Sequence, residues 1–227
     1  MGEKYPGYYE KKLAAERLQQ VYAIASARVR QYLNAEINFV CHRIQPGDRV
    51  LELGCGFGRV LKTLGQATHL IFGIDTSLES LQLARRLAGA PGYHLALMNA
   101  VQTGFTEDAF DLTVCIQNGI SAFNVDSDDL IKESVRITRP GGRVLFSSYA
   151  EGFWPERLNW FRQQARHGLL GEIDEAATGN GVIVCRDGFR ATTFGPEAFQ
   201  SAADRLHLPH RIYTVDESSV FCELLVN

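Results

Sequence analysis

The sequence predicts an α/β fold in which a mostly parallel sheet is covered by helices on both faces. From Gln45 to Tyr149, short and nearly continuous apolar runs alternate with segments of helical periodicity. Strands that are apolar on both sides need cover on both faces of their sheet. Near the end of the chain, two further apolar runs are joined by the polar turn Asp216–Ser219. Runs joined so closely must pair antiparallel, so we expect an antiparallel pair at the end of the sheet.

The changes in periodicity predict the elements of the core. We expect strands at Arg49–Leu53, Leu70–Ile74, His94–Met98, Leu112–Ile116 and Val144–Ser148, and helices at Arg59–Gln66, Leu78–Ala88 and Asp128–Thr138. Thr76 and Glu79 have the spacing of a capping box at the start of the second helix. Gly89 and Pro91 predict where that helix ends.

The segments on either side of the core predict further parts. From Glu10 to Arg43, apolar residues recur at three- and four-residue steps, which predicts one or two amphipathic helices. After the core, Asp187-Gly188 separates the apolar runs Val182–Arg186 and Phe189–Thr193, which predicts a hairpin. A helix from Gly195-Pro196 to about Leu206 and strands at His210–Val215 and Val220–Val226 follow. We interpret 1–227 as one domain: a helical cap (1–44), a core (45–149), a lid-like insertion (150–194) and a C-terminal helix and strand pair (195–227).

Composition limits the function classes. The formal net charge of -3 gives no general attraction to phosphate backbones, which disfavours nucleic acid as a partner. The five cysteines are widely spaced and form no C-x-x-C pair, so they predict neither a disulfide framework nor a zinc site. No apolar run reaches the roughly 20 residues needed to cross a bilayer. We expect a cytoplasmic monomer or homodimer without a metal ion.

The most informative segment is the glycine-rich loop after the first predicted strand. Gly54, Gly56 and Gly58 alternate with other residues there, and glycine permits unusual φ angles and lets a ligand lie against bare backbone. A dinucleotide fingerprint would require glycine at the position of Arg59, which argues against NAD. A simpler interpretation of the loop is a tight turn between a strand and a helix.

An acidic residue stands at the end of the second predicted strand. Asp75 follows Gly54 by roughly twenty residues, a separation at which a carboxylate can accept hydrogen bonds from ribose hydroxyls. Alone, Asp75 could simply cap the helix that follows. Together with the glycine loop, it indicates a nucleoside site.

These motifs give the chain a family resemblance. Glu52-Leu53-Gly54-Cys55-Gly56-Phe57-Gly58, the acidic tip Gly73-Ile74-Asp75 and the predicted turn Arg139–Arg143 before a strand resemble the class I S-adenosylmethionine (SAM)-dependent methyltransferases. The resemblance covers about Gln45 to Tyr149. It implies a Rossmann-like, seven-stranded, mostly parallel sheet with an antiparallel final strand, and it implies SAM as cofactor and S-adenosylhomocysteine (SAH) as product.

The resemblance also implies a cofactor site. Gly54, Gly56 and Gly58 would line the methionine moiety, Glu52 would orient the loop that contains Cys55, and Asp75 would hold the ribose. Asn99 stands where the family often has an acidic residue that binds the adenine amino group, and its amide oxygen can accept the same bond. The set of expected cofactor-binding residues is Glu52, Gly54, Cys55, Gly56, Gly58, Asp75, Thr76, Asn99, Ala100, Gln117 and Tyr8.

The expected activity is methyl transfer to the N, O or C atom of a small molecule by in-line displacement. The alternatives are a nucleic-acid methyltransferase, which the sequence after the fourth strand does not match, and a non-catalytic SAM-binding regulatory subunit. The sequence selects no catalytic residue and no specific acceptor. One of Tyr5, Tyr8 and Tyr9 is a candidate to close over the cofactor. Trp154, Trp160 and Phe161 either wall the acceptor pocket or form the core of the insertion.

Overall fold

The computed structural model describes residues 8, 12–88 and 93–227. Nine strands lie in the described residues: β1 Val50–Leu53, β2 Ile71–Asp75, β3 His94–Leu97, β4 Phe110–Cys115, β5 Thr138–Tyr149, β6 Val182–Val184, β7 Arg190–Thr192, β8 His210–Val215 and β9 Ser219–Leu225. Seven of them form one sheet in the order β3-β2-β1-β4-β5-β9-β8, and β6 pairs with β7 in a separate hairpin. In the large sheet, β9 runs antiparallel to both of its neighbours, β5 and β8, and the other pairs are parallel. The predicted Rossmann-like, seven-stranded fold is confirmed.

Helices cover both faces of this sheet. Within the described residues they are α1 Ala15–Ala23, α2 Ala27–Cys41, α3 Leu61–Leu64, α4 Leu78–Ala88, α5 Gly119–Ala122, α6 Ser127–Arg136, α7 Trp154–Arg166 and α8 Pro196–Arg205, with a 3₁₀ turn at Glu151–Phe153 before α7. One buried cluster joins α2, α3 and α4 to the sheet, and another joins α6 and α8 to its other side. No helix among the described residues has the length and apolarity needed to span a bilayer.

Two local predictions are wrong. The cap of α4 is Ser77, whose hydroxyl accepts a hydrogen bond from the Ser80 N–H at 3.2 Å, so the predicted Thr76 capping box is displaced by one residue. β5 begins at Thr138 and contains the segment predicted as a turn. The pairing with β4 passes from Phe110↔Thr138 to Leu112↔Arg143, so residues 139–142 bulge out of the ladder. Gly89 and Pro91 lie outside the described residues.

A third buried cluster joins the N-terminal helices to the insertion. Val21 of α1 and Tyr32 and Leu33 of α2 share it with Trp160 and Phe161 of α7. The indole N–H of Trp160 donates to the Val21 carbonyl at 3.1 Å. Burial of aromatic side chains is a large source of stability, so this cluster fixes the two flanking segments against each other. They meet above the carboxyl ends of the strands.

Candidate functional site

A cavity of about 600 Å³ opens at the carboxyl ends of the parallel strands. It lies where the strand order reverses between β1 and β4, the position at which open α/β sheets bind ligands. Its volume falls in the range of small-molecule and cofactor pockets. Nine of the expected cofactor-binding residues line it: Glu52, Gly54, Cys55, Gly56, Asp75, Thr76, Asn99, Ala100 and Gln117.

The loop after β1 presents backbone to the cavity. Gly54 and Gly56 have φ angles of 72° and 53°, in the left-handed region that glycine adopts without strain. A Cβ atom on Gly54 would lie 2.5 Å from the ring of Phe123, so no side chain fits there. The N–H groups of Gly54 and Cys55 donate to the Ile74 carbonyl at 2.8 and 2.9 Å, which holds the loop beside the end of β2.

Asp75 is held by the backbone around it. One carboxylate oxygen accepts from the Gly56 N–H and the other from the Ser77 N–H, both at 2.8 Å. Each oxygen of an ionised carboxylate can accept more than one hydrogen bond. Asp75 therefore ties the glycine loop to the start of α4 while it lines the cavity.

Beneath the loop, the carboxyl group of Glu52 is buried. Burial raises its pKa to about 8, Arg59 acts against this rise, and the charge of Asp75 adds to it. Glu52 is therefore mostly protonated at neutral pH in this structure. The guanidinium group of Arg59 lies 4.5 Å from the centre of the Tyr22 ring, and both residues line the cavity.

Two of the expected cofactor-binding residues do not line this cavity. A Cβ atom on Gly58 would lie 3.3 Å from Cβ of Ala84, so Gly58 allows the loop to pack against α4 instead of contacting a ligand. The hydroxyl of Tyr8 donates to Asp187 at 2.6 Å, and its ring packs edge-on against Phe189. Tyr8 therefore joins the N-terminal segment to the hairpin, and Tyr5 and Tyr9 lie outside the described residues. The N-terminal tyrosines among the described residues that line the cavity are Tyr22 of α1 and Tyr32 of α2.

The opposite wall is aromatic. Tyr22, Tyr32, Tyr149, Trp160 and Phe161 all line it, and the rings of Tyr32 and Tyr149 have centroids 5.3 Å apart. Trp160 and Phe161 therefore belong both to the core of the insertion and to the cavity wall, so the two interpretations of these residues are compatible. Trp154 packs against the same core without lining the cavity.

The loop after β4 has an unusual backbone. Gln117 and Asn118 are consecutive non-glycine residues with φ angles of 58° and 64°. Such conformations cost free energy and persist only where the surroundings impose them. The Gln117 N–H donates to the Glu36 carboxylate at 2.9 Å and to the Ser147 hydroxyl at 2.8 Å. The Asn118 side chain donates to the Thr192 carbonyl at 3.0 Å and accepts from the Ser148 hydroxyl at 2.6 Å.

Glu36 is fully buried, and sequence reasoning missed it. Burial raises the pKa of its carboxyl group to about 7, while the Ser147 and Ser219 hydroxyls and the Gln117 N–H lower it. The sequence contained a sign of this role. Glu36 lies on the apolar face of α2 with Tyr32, Leu33, Ile37 and Val40, where an unpaired charge is rare.

No group of three or more His, Cys, Asp or Glu side chains among the described residues is arranged to hold a metal ion. The five cysteines are free. Cys55 is buried, and desolvation raises the pKa of its thiol well above the usual value, which keeps it protonated.

Comparison with known proteins identifies the core. Residues 50–142 match the family model described as a methyltransferase domain. Residues 50–142 are therefore similar to a methyltransferase domain. The matched residues run from β1 to the bulge of β5 and include the glycine loop, Asp75, Asn99 and Gln117. The fold is that of the class I SAM-dependent methyltransferases, as the sequence motifs implied.

Individual relatives and solved structures are also similar to this chain. A malonyl-[acyl-carrier protein] O-methyltransferase of Erwinia pyrifoliae is 31% identical over 164 residues, which cover 68% of this chain and 61% of that protein. The PH0226 protein of Pyrococcus horikoshii superimposes with a TM-score of 0.70 at 17% identity, covering 97% of this chain and 98% of that one. The magnesium protoporphyrin IX methyltransferase of Synechocystis, solved with bound SAH, has a TM-score of 0.62 at 15% identity and covers 97% and 96% of the two chains.

The sequence matches cover only part of each curated relative. The chain spans about half the length of the curated relatives it matches. The similarity in sequence is strongest for the core of the domain.

Proposed function

We propose that this chain binds SAM in the cavity and transfers its methyl group to a small-molecule acceptor. The observation that carries the proposal is the convergence of nine residues, chosen from sequence motifs alone, on one cavity. They come from the loops after four different strands, so chance packing does not account for their meeting.

The geometry supports a place for each part of SAM. Asp75 lines the cavity at the end of β2, where its carboxylate can accept hydrogen bonds from ribose hydroxyls. Asn99 and Ala100 line the cavity after β3, beside Asp75, where an adenine ring would lie. Gly54, Gly56 and Gln117 line the part nearest β1 and β4, which suits the methionine end. SAM supplies an activated methyl group on a sulfonium, so alignment of the acceptor can provide much of the acceleration.

The acceptor would occupy the aromatic part of the cavity. A pocket walled by Tyr22, Tyr149, Trp160 and Phe161 suits an apolar or planar molecule. The names of the relatives mention malonyl-[acyl-carrier protein] and magnesium protoporphyrin IX, and neither is a nucleic acid. The net charge of -3 also disfavours a nucleic-acid substrate.

Calorimetry with SAM, SAH and NAD tests the cofactor assignment. We expect micromolar binding of SAM and SAH and no binding of NAD. Asp75→Ala should weaken SAH binding by roughly 10- to 100-fold, because hydrogen bonds to a charged group contribute about 1.5–3 kcal/mol. Asp75→Asn should lose less affinity because its amide oxygen still accepts a hydrogen bond.

Asp129→Ala is the matched control for this experiment. Asp129 is an exposed residue of α6 that does not line the cavity. SAH affinity equal to the wild type in a folded Asp75→Ala protein would refute the ribose assignment. Binding of NAD without SAM or SAH would refute the cofactor itself.

A further inference from the structure

Several buried hydrogen-bond donors in the cavity have no acceptor among the described residues. They are Nε and Nη2 of Arg59 and Nε2 of Gln117. Both side chains line the same cavity. A buried donor without a partner costs about 1–3 kcal/mol, and more where it carries a charge, so three of them at one cavity indicate a site for a ligand that accepts hydrogen bonds.

Arg59 also has no close carboxylate to neutralise its charge within the described residues. It forms no ion pair there within 4.0 Å. Burial raises the pKa of nearby Glu52 to about 8, so that carboxyl group carries little negative charge at neutral pH. The carboxylate of Asp75 is hydrogen-bonded to the backbone of Gly56 and Ser77. Arg59 therefore lines the cavity without an ion pair to any carboxylate among the described residues.

Tyr22 orients both groups. Its ring lies under the guanidinium group of Arg59 at 4.5 Å. Its hydroxyl donates to Oε1 of Gln117 at 3.2 Å, which fixes the amide so that Nε2 remains for another partner. The backbone N–H of Gln117 is held by Glu36 and Ser147. Arg59 and Gln117 are thus fixed by contacts of their own before any ligand binds.

We propose that Arg59 and Gln117 form a carboxylate-binding site within this cavity. The planar guanidinium group offers two donors in a fork that matches the two oxygens of a carboxylate, and the amide of Gln117 offers a third donor. This inference rests on the proposed function for the identity of the ligand. Two sources have this chemistry: the amino-acid end of SAM and a carboxylate on the acceptor.

The same site limits the charge of the acceptor. Arg59, Glu52 and Asp75 are the charged residues that line the cavity among the described residues. A cationic acceptor placed near Arg59 would be repelled in a poorly solvated cavity. Where the acceptor supplies the carboxylate, the acceptor is therefore anionic, whereas a carboxylate supplied by SAM would neutralise Arg59 and leave the charge of the acceptor open.

The test compares ligands with and without an amino-acid end. SAH and 5′-methylthioadenosine share the adenosine and the sulfur, but only SAH has a carboxylate. We expect Arg59→Gln to weaken SAH binding by roughly 10- to 100-fold and to leave methylthioadenosine binding unchanged if the site holds the cofactor. If the site holds the acceptor, SAH affinity stays unchanged, and benzoate binds to the SAH-loaded wild type but not to SAH-loaded Arg59→Gln.

Two further variants control the result. Arg59→Lys keeps the charge and should recover part of the affinity that Arg59→Gln loses for the carboxylate ligand. If Arg59 had a purely structural role, Lys and Gln would not differ in their effect on that ligand alone. Arg85→Gln changes an exposed arginine of α4 outside the cavity and should match the wild type. Thermal unfolding confirms that each variant is folded.

Other outcomes overturn the inference. Equal losses of SAH and methylthioadenosine affinity in Arg59→Gln would mean that Arg59 supports the loop or the nucleoside and binds no carboxylate. Unchanged binding of both SAH and benzoate would also overturn it. A wild type that binds neither SAH nor methylthioadenosine would refute the proposed function, whereas benzoate binding that depends on Arg59 would still support the carboxylate site.

Discussion

The two halves of the cavity are built in different ways. The half nearest β1, β2 and β3 consists of short loops that directly follow strands, and it includes the backbone of Gly54 and Gly56. The half under the insertion consists of large side chains from α1, α2, the end of β5 and α7. We call these the loop half and the aromatic half.

The difference in construction between the two halves suggests different roles. The loop half is limited by the chemistry of the nucleoside that it would bind, and the aromatic half can vary in shape. A backbone donor or a carboxylate at a strand end serves any protein that binds the same nucleoside. An aromatic wall can change shape with each substitution, which suits the recognition of a particular acceptor. Changes in the loop half should therefore affect cofactor affinity first, and changes in the aromatic half should spare it.

The largest expected effect is in the loop half. Gly56→Val should reduce SAH binding more than 100-fold, because valine is strained at a φ of 53° and its Cβ would lie 3.1 Å from Leu18 in the cavity. Calorimetry measures the affinity, and thermal unfolding reports the stability. Gly152→Val is the control, since a Cβ atom there meets no atom within 4 Å. Normal SAH binding by Gly56→Val would show that the cofactor does not approach this backbone.

A smaller effect is expected in the aromatic half. Trp160→Phe keeps a ring but removes the hydrogen bond to the Val21 carbonyl, so we expect the free energy of unfolding to fall by about 1–2 kcal/mol. SAH affinity should stay within about threefold of the wild type, well under the effect of one charged hydrogen bond. Chemical denaturation and calorimetry measure the two quantities. A tenfold loss of SAH affinity would break the division between the halves.

The last expected effect is confined to the pH dependence of stability. The pKa of Glu36 is about 7 in the folded protein, above its ordinary value of 4.5. Its contribution to stability is therefore complete below pH 4.5 and is lost as the pH rises through 7, because the unfolded chain releases the proton first. The unfolding free energy of the wild type should fall as the pH rises from 4.5 to 7, and Glu36→Gln should reduce this fall. The reduction is a few kcal/mol at most, since one pKa unit corresponds to about 1.4 kcal/mol.

Glu16→Gln is the comparison for that measurement. Glu16 is exposed in its ion pair with Arg86, where substitutions have small effects. Denaturant titrations at several pH values should therefore give it the wild-type profile. If Glu36→Gln also kept the wild-type profile, Glu36 would be ionised in the folded protein.

The loop half was predictable because its chemistry is local in sequence. Glycines with positive φ and an acid at a strand end leave a pattern that can be recognised without a structure, and Gly54, Gly56 and Asp75 all line the cavity. Gly58 shows the limit of the pattern. Its spacing in the sequence matches that of Gly54 and Gly56, but in the fold Gly58 packs against Ala84 of α4 and does not line the cavity.

The aromatic half was less predictable because its residues meet only through tertiary packing. Tyr22 and Tyr8 are both tyrosines in the N-terminal region, and only the fold shows that one lines the cavity while the other bonds to Asp187. Arg59 was noted only as a position that lacks glycine. Its stacking on Tyr22 depends on how α1 crosses the loop half, which no spacing in the sequence specifies.

The contacts of Asn118 have a consequence for protein engineering. Its side chain bonds to the Thr192 carbonyl and the Ser148 hydroxyl, and that hydroxyl also accepts from the Phe194 N–H at 2.9 Å. The end of the insertion is thus hydrogen-bonded to the loop after β4, which lines the cavity. An insertion grafted from another protein would need junctions that preserve these three hydrogen bonds. Without them, the loop at Gln117 and Asn118 would lose contacts that hold its strained backbone.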